Sequence, residues 1–116
     1  NRTGKQADLR GADLRGAKLI NTNLQAAILN GANLRGANLK CAYLYGANLI
    51  GADLSGAKLY KADLRYTNMQ DAILLDADLS DAHMFKAILG YTDLGYANLS
   101  DAILGGAIFS RRLNNE

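Results

Sequence analysis

The sequence predicts an all-β solenoid, a chain wound around a column of its own Leu side chains, and three observations carry that expectation. A large apolar residue recurs every fifth position from Leu9 to Phe109, giving 21 consecutive units without an insertion or deletion. A small residue sits two places before it in every unit, Ala in 18 cases and Thr22, Thr67 and Thr92 in the rest. No Pro occurs anywhere in the 116 residues, which suits a backbone whose amides are needed from coil to coil. A period of five fits neither ordinary element. On a straight helix it would smear the Leu around every side, and on a straight strand it would send successive Leu to opposite faces. The conflict disappears if each unit is a short extended side followed by a corner. In Ala52-Asp53-Leu54-Ser55-Gly56, Ala52 and Leu54 then point inward, Asp53 points outward, and Ser55 and Gly56 turn the corner.

The number of sides can be read from the corners. At a spacing of twenty they form matching columns, Gly11, Gly31, Gly51 and Gly16, Gly36, Gly56, which change together to Asp71 and Asp76 and then to Tyr91 and Tyr96. Twenty residues are four units. With this motif in hand, residues 7–109 resemble the repeats of the pentapeptide repeat family, A-(D/N)-L-x-x. The resemblance implies a right-handed quadrilateral β-helix with four units per coil, and so about five coils for this chain.

Taken in order, residues 1–6 form a lead-in, because continuing the register backwards would put Arg2 and Gly4 inside. Residues 7–109 are the β-helix. Residues 110–116 are a tail, since the register would turn Arg112 and Asn114 inward. The net charge of +2 hides a lengthwise polarity: residues 1–65 carry ten Lys or Arg against four Asp, while residues 66–116 carry three against six Asp and one Glu. Exposed backbone edges at the two ends make end-to-end self-association an expectation. No run approaches 18 apolar residues, so no membrane span is expected, and no signal-peptide core is visible. One Cys excludes an internal disulfide and leaves the compartment unassigned, a soluble cytoplasmic chain being the working expectation.

The residue between Ala and Leu is Asp or Asn in 12 of 21 units. Short polar side chains there would bond backbone groups beside a corner, as the family resemblance also implies, whereas carboxylates spread around a rod cannot converge on a cation. No metal, cofactor or small-molecule substrate is therefore expected. His83 stands one coil from Asp63, with Tyr43 a further coil away, so an Asp–His hydrogen bond is geometrically possible. That column holds no nucleophile and no cleft, and Cys41 on a neighbouring corner has only Lys40 and Lys61 nearby, which points away from an enzyme.

The side through Leu24, Leu44, Leu64, Met84 and Leu104 is chemically distinct. Its outward positions include Tyr43, Tyr45, Arg65, Tyr66, His83, Phe85 and Lys86, the aromatic and basic mixture of a recognition surface. The expected function is a non-enzymatic binding or scaffolding module with a protein partner on that face. Two other classes compete. By resemblance, some family members mimic DNA and engage DNA gyrase, but mimicry calls for a strongly negative rod with a C-terminal dimerisation element. Direct nucleic-acid binding would use Arg10, Arg15, Arg35 and Lys40, which Asp8, Asp13 and Asp53 partly oppose, so nucleic acid is not the expected partner.

Overall fold

The computed structural model describes residues 6–110. One five-residue backbone pattern repeats along the chain, an extended side followed by a two-residue turn. Each outward residue of one coil pairs in parallel with the residue twenty positions on, as in Asp13 with Asn33, Asn33 with Asp53, and Asp53 with Ile73. The period of twenty makes four sides per coil, and the fold is the right-handed quadrilateral β-helix. Most sides are so short that a single residue pair spans the coils. Two are longer: β1 (Ile88–Gly90) pairs in parallel with β2 (Ile108–Ser110), Ile88 opposite Ile108 and Gly90 opposite Ser110. The expected lead-in and tail lie almost wholly outside the described residues.

Leu and Ala build the interior as the period demands. From Leu24 to Leu89 every inward residue is buried, Thr67, Met69 and Met84 included. Two of the three Thr exceptions satisfy their hydroxyls on the backbone: Thr67 Oγ1 donates to the Leu64 carbonyl at 2.8 Å and Thr92 Oγ1 to that of Met69 at 2.7 Å. Both would otherwise be unpaired polar groups against a Leu column, an expensive arrangement. At the two ends the column is half-covered. Leu9, Leu14 and Leu19 are partly exposed, as are Leu94, Leu99 and Leu104, and Phe109 at the last inward position is 55% exposed.

The unit around Leu54 shows how each backbone N–H is satisfied. Ala52 N–H donates to Leu49 O across the corner, Asp53 N–H to Ala32 O of the preceding coil, and Leu54 N–H to Ile73 O of the next. Gly56 N–H also reaches the next coil, at Leu75 O. One N–H remains, that of Ser55 on the corner, and the Asp53 carboxylate accepts it at 3.0 Å. This local bond recurs wherever the residue type permits. All twelve Asp and Asn between the inward residues accept from the N–H two residues on, at 2.9 to 3.3 Å. It is an Asx turn, and it explains the Asp/Asn preference without any ligand.

The corners carry a constraint that the Leu pattern does not announce. In all twenty units from Gly11 to Gly106 the second corner residue has φ between +56° and +68°. The residue before it does not, so each corner has the signature of a type II turn, closed by the Ala N–H to Leu O bond. Eight of these residues are Gly and twelve are not, among them Ala26, Cys41, Tyr66 and Lys86. A side chain in this region costs about 1–2 kcal/mol, less for Asp and Asn, which helps explain Asn21, Asp71, Asp76, Asp81 and Asp101. A Cβ built on Gly51 would meet nothing within 4 Å, so its φ of +67° is the whole penalty of substitution. Gly51→Ala should therefore lose about 1 kcal/mol in denaturant unfolding, while Ala26→Gly should gain a fraction of that. A neutral Gly51→Ala would contradict a strained corner.

Candidate functional site

The expected partner face divides into two parts. Tyr45, Arg65, Tyr66, Phe85 and Lys86 come from the corners after Leu44, Leu64 and Met84, and successive coils bring them into one continuous ladder. The Tyr45 and Tyr66 rings lie 5.3 Å apart and tilted by 50°, and the Phe85 ring meets Tyr66 edge-on at 5.8 Å. Arg65 lies over the Tyr45 ring at 5.0 Å and Lys86 over Phe85 at 5.5 Å. Such ring pairs contribute about 0.5–1.5 kcal/mol each, so the ladder holds its own shape. Beyond Phe85 it stops, because the next corner residue is Gly105, against which the Phe85 ring rests.

Tyr43 and His83 stand apart from the ladder. They occupy the flat side, in the column Tyr43, Asp63, His83, where each pairs through the backbone with Asp63. Tyr43 is 49% exposed and His83 half-buried. The possible bond between Asp63 and His83 is not made. Arg65 holds both carboxylate oxygens, Nε to Oδ1 at 2.8 Å and Nη2 to Oδ2 at 2.7 Å, and its backbone N–H adds a third bond to Oδ1. A partner two residues along the chain wins over one a coil away. Asp63 was significant in the sequence only as a neighbour of His83, and its work as the anchor of Arg65 could have been read from the Asp-Leu-Arg order that recurs at Asp8, Asp13 and Asp63.

The same local pairing neutralises much of the basic half. Arg10 and Arg15 bind Asp8 and Asp13 at 2.7 Å, and Arg35 reaches across a coil to Asp53 at 3.2 Å. The pairs move the carboxyl groups. The Arg15 guanidinium and backbone N–H hold Asp13 at about 2, and Arg10 lowers Asp8 in the same way. Arg65 lowers Asp63 against the opposing effect of burial, with a smaller contribution from His83. For Asp53 burial pushes upward, but Ser55 and Arg35 together outweigh it, and the Ser80 hydroxyl lowers Asp78.

A second feature of this side was missed by the sequence reading. Tyr43 and His83 stand where twelve other units carry Asp or Asn, and neither can cap its corner. No protein group accepts from the N–H of Tyr45 or Phe85. The ladder therefore stands beside open backbone donors at Tyr45 and Phe85, and at Gly105 one coil further on, where Ile103 cannot cap the corner either; the departures from A-(D/N)-L, nine in the 21 units, could have supplied this.

The lowered carboxyl groups give a pH dependence of known sign. A carboxyl held below its unfolded value, near 3.9, stabilises the fold fully above that pH, and the stabilisation is lost as pH falls through the folded value. Thermal stability should fall between about pH 4 and 2. Asp13→Asn and Asp63→Asn together keep the corner caps and should flatten that fall. A melting temperature constant down to pH 2 would contradict the pairing.

The comparisons agree with this geometry. The model of the pentapeptide repeats matches eight copies, over residues 7–40, 37–74 and 62–95. A solved pentapeptide repeat protein from the Arabidopsis thaliana thylakoid lumen is similar at 33% identity and a TM-score of 0.68, over 91% of this chain and 67% of that one. Another, Rfr23 from the cyanobacterium Cyanothece 51142, is similar at 28% identity and a TM-score of 0.56, over 77% of this chain and 65% of its own. This chain thus spans about two thirds of the length of both. QnrB1, a plasmid-mediated fluoroquinolone resistance protein, is 19% identical with a TM-score of 0.36 over 89% of this chain and 77% of that one, which carries no argument about function. No curated protein matches significantly. With the repeat matched along most of the rod and a solved relative at 33% identity, the chain belongs to the pentapeptide repeat family.

Proposed function

We propose that this protein is a non-enzymatic binding or scaffolding module that docks a protein partner on the edge formed by Tyr45, Tyr66 and Phe85 with Arg65 and Lys86, and on the adjoining side with Tyr43 and His83. The ring ladder carries this reading. Aromatic and Arg side chains supply most of the energy of protein interfaces, and here they are already ordered, so a partner loses little by fixing them. The Gly-lined corners of the first coils offer little side-chain area by comparison. Catalysis finds less support: Arg65 occupies the carboxylate that would orient His83, and no nucleophile stands in that column. Nucleic-acid binding through the basic half is weakened by the ion pairs of Arg10, Arg15 and Arg35. Among the described residues no helix is long and apolar enough to cross a membrane.

Affinity capture from the source cells with three proteins tests the reading. Tyr45→Ala with Phe85→Ala should weaken a captured protein partner at least about tenfold, as expected for removing two anchors. The same pair should lower stability modestly through the lost ring contacts, so folding is checked by thermal melting. Arg15→Glu with Arg35→Glu should leave the partner bound. Loss of binding with the charge-reversed pair and none with the ring pair would move the site to the basic half.

A further inference from the structure

The docking edge is built to accept negative charge. The middle of this side is flanked by cations: Arg65 and Lys86 on one corner, Lys40 and Lys61 on the other. Within it the single carboxylate, Asp63, is already bound twice by Arg65, which uses Nε and Nη2 and leaves Nη1 without a bond to Asp63. The side beyond the ladder carries Ile28, Asn48, Asn68 and Ile88, and its charged residue, Asp8, lies in the first coil and is paired with Arg10. Asp81 and Asp101 occupy the C-terminal coils of the opposite corner and so confine the favourable region to the middle of the rod. Against this field stand the open N–H groups of Tyr45 and Phe85, two coils or roughly 10 Å apart, while the open N–H of Gly105 lies a coil further on, in the coil of Asp101 and outside the field. In six of the twelve capped units, the acceptor for the corresponding N–H is an Asp carboxylate of the same chain.

We propose that the partner contributes an acidic segment whose carboxylates do in trans what Asp does elsewhere in cis, accepting the N–H of Tyr45 and of Phe85 while Lys86 and Arg65 Nη1 neutralise the charge and the rings pack against its apolar side chains. This rests on the docking edge proposed above and adds the chemistry of the ligand. Bonds between a carboxylate and backbone N–H groups are charge-assisted and directional, so they fix the register of the bound segment along the ladder. Tyr43 and His83 matter here for what they leave open as well as for what they present.

Amide-resolved NMR titration tests the idea, with a short peptide of Glu-Leu-Gly repeats and its Gln-for-Glu counterpart as probes. The Tyr45 and Phe85 amide signals should move together on adding the Glu peptide and hardly move with the Gln peptide. Lys86→Glu should weaken binding several-fold. Tyr43→Asn with His83→Asn should close both N–H groups with neutral caps, raise the melting temperature and weaken binding about tenfold. Tyr43→Ala with His83→Ala removes the same side chains without adding caps and should bind more tightly than the Asn pair. The proposal is overturned if millimolar Glu peptide leaves the two amides unmoved, if the Gln peptide binds equally, or if the Asn and Ala pairs bind alike. A captured partner that is lost with Tyr45→Ala and Phe85→Ala, yet indifferent to Lys86→Glu and to the Asn pair, would keep the docking edge and reject the acidic ligand.

Discussion

Backbone groups that meet their partners about twenty residues away hold this rod together, and every other feature answers to that ladder. Leu54 N–H to Ile73 O and Asp53 N–H to Ala32 O are typical: each side donates to both neighbouring coils and accepts from both. The ladder tolerates no missing amide, so Pro is absent. It also tolerates no change in the length of a side, so insertions are absent across 21 units. Leu fills the column because the sides leave a fixed width inside, and Ala two places earlier lets the backbone come close.

The corners bear the cost of that regularity. A right-angle turn every five residues demands a left-handed residue at each one, whatever its side chain. The chain uses Gly where nothing else is asked of the corner, Asp or Asn where a polar residue relieves part of the strain, and larger residues where a side chain is worth presenting. Tyr66 and Lys86 belong to the last kind. Both adopt positive φ, and both make ring or cation contacts along the ladder that act against that strain. A similar exchange operates one position earlier. Asp and Asn spend their side chains on the corner N–H, whereas Tyr43 and His83 turn theirs to the surface and leave that N–H open.

Much of the fold was legible because its signal is spatially simple. A Leu at every fifth position has one explanation, and the columns at a spacing of twenty identify the number of sides. The left-handed corners were legible only where Gly occupies them. Lys61 or Tyr66 gives no hint of φ near +60°, since ring closure and not intrinsic preference imposes it. The site was partly legible. Composition picked out the face, but not its division into a ladder of Tyr45, Tyr66 and Phe85 and a separate column of Tyr43 and His83. Which side chain an Asp holds is a contest of distances: Asp63 could reach His83 by register, yet Arg65 lies two residues along the chain and takes both oxygens.

The central claim is that the residue between the inward pair decides whether its corner N–H is held by the chain itself or left for something else. Residue-resolved amide hydrogen exchange measures this directly under native conditions. The corner amides of Ser55, Arg65 and Ser80, each capped by an Asp, should exchange slowly, while those of Tyr45 and Phe85 in the same middle coils should exchange fast. Equal protection at the capped and uncapped corners would contradict the account.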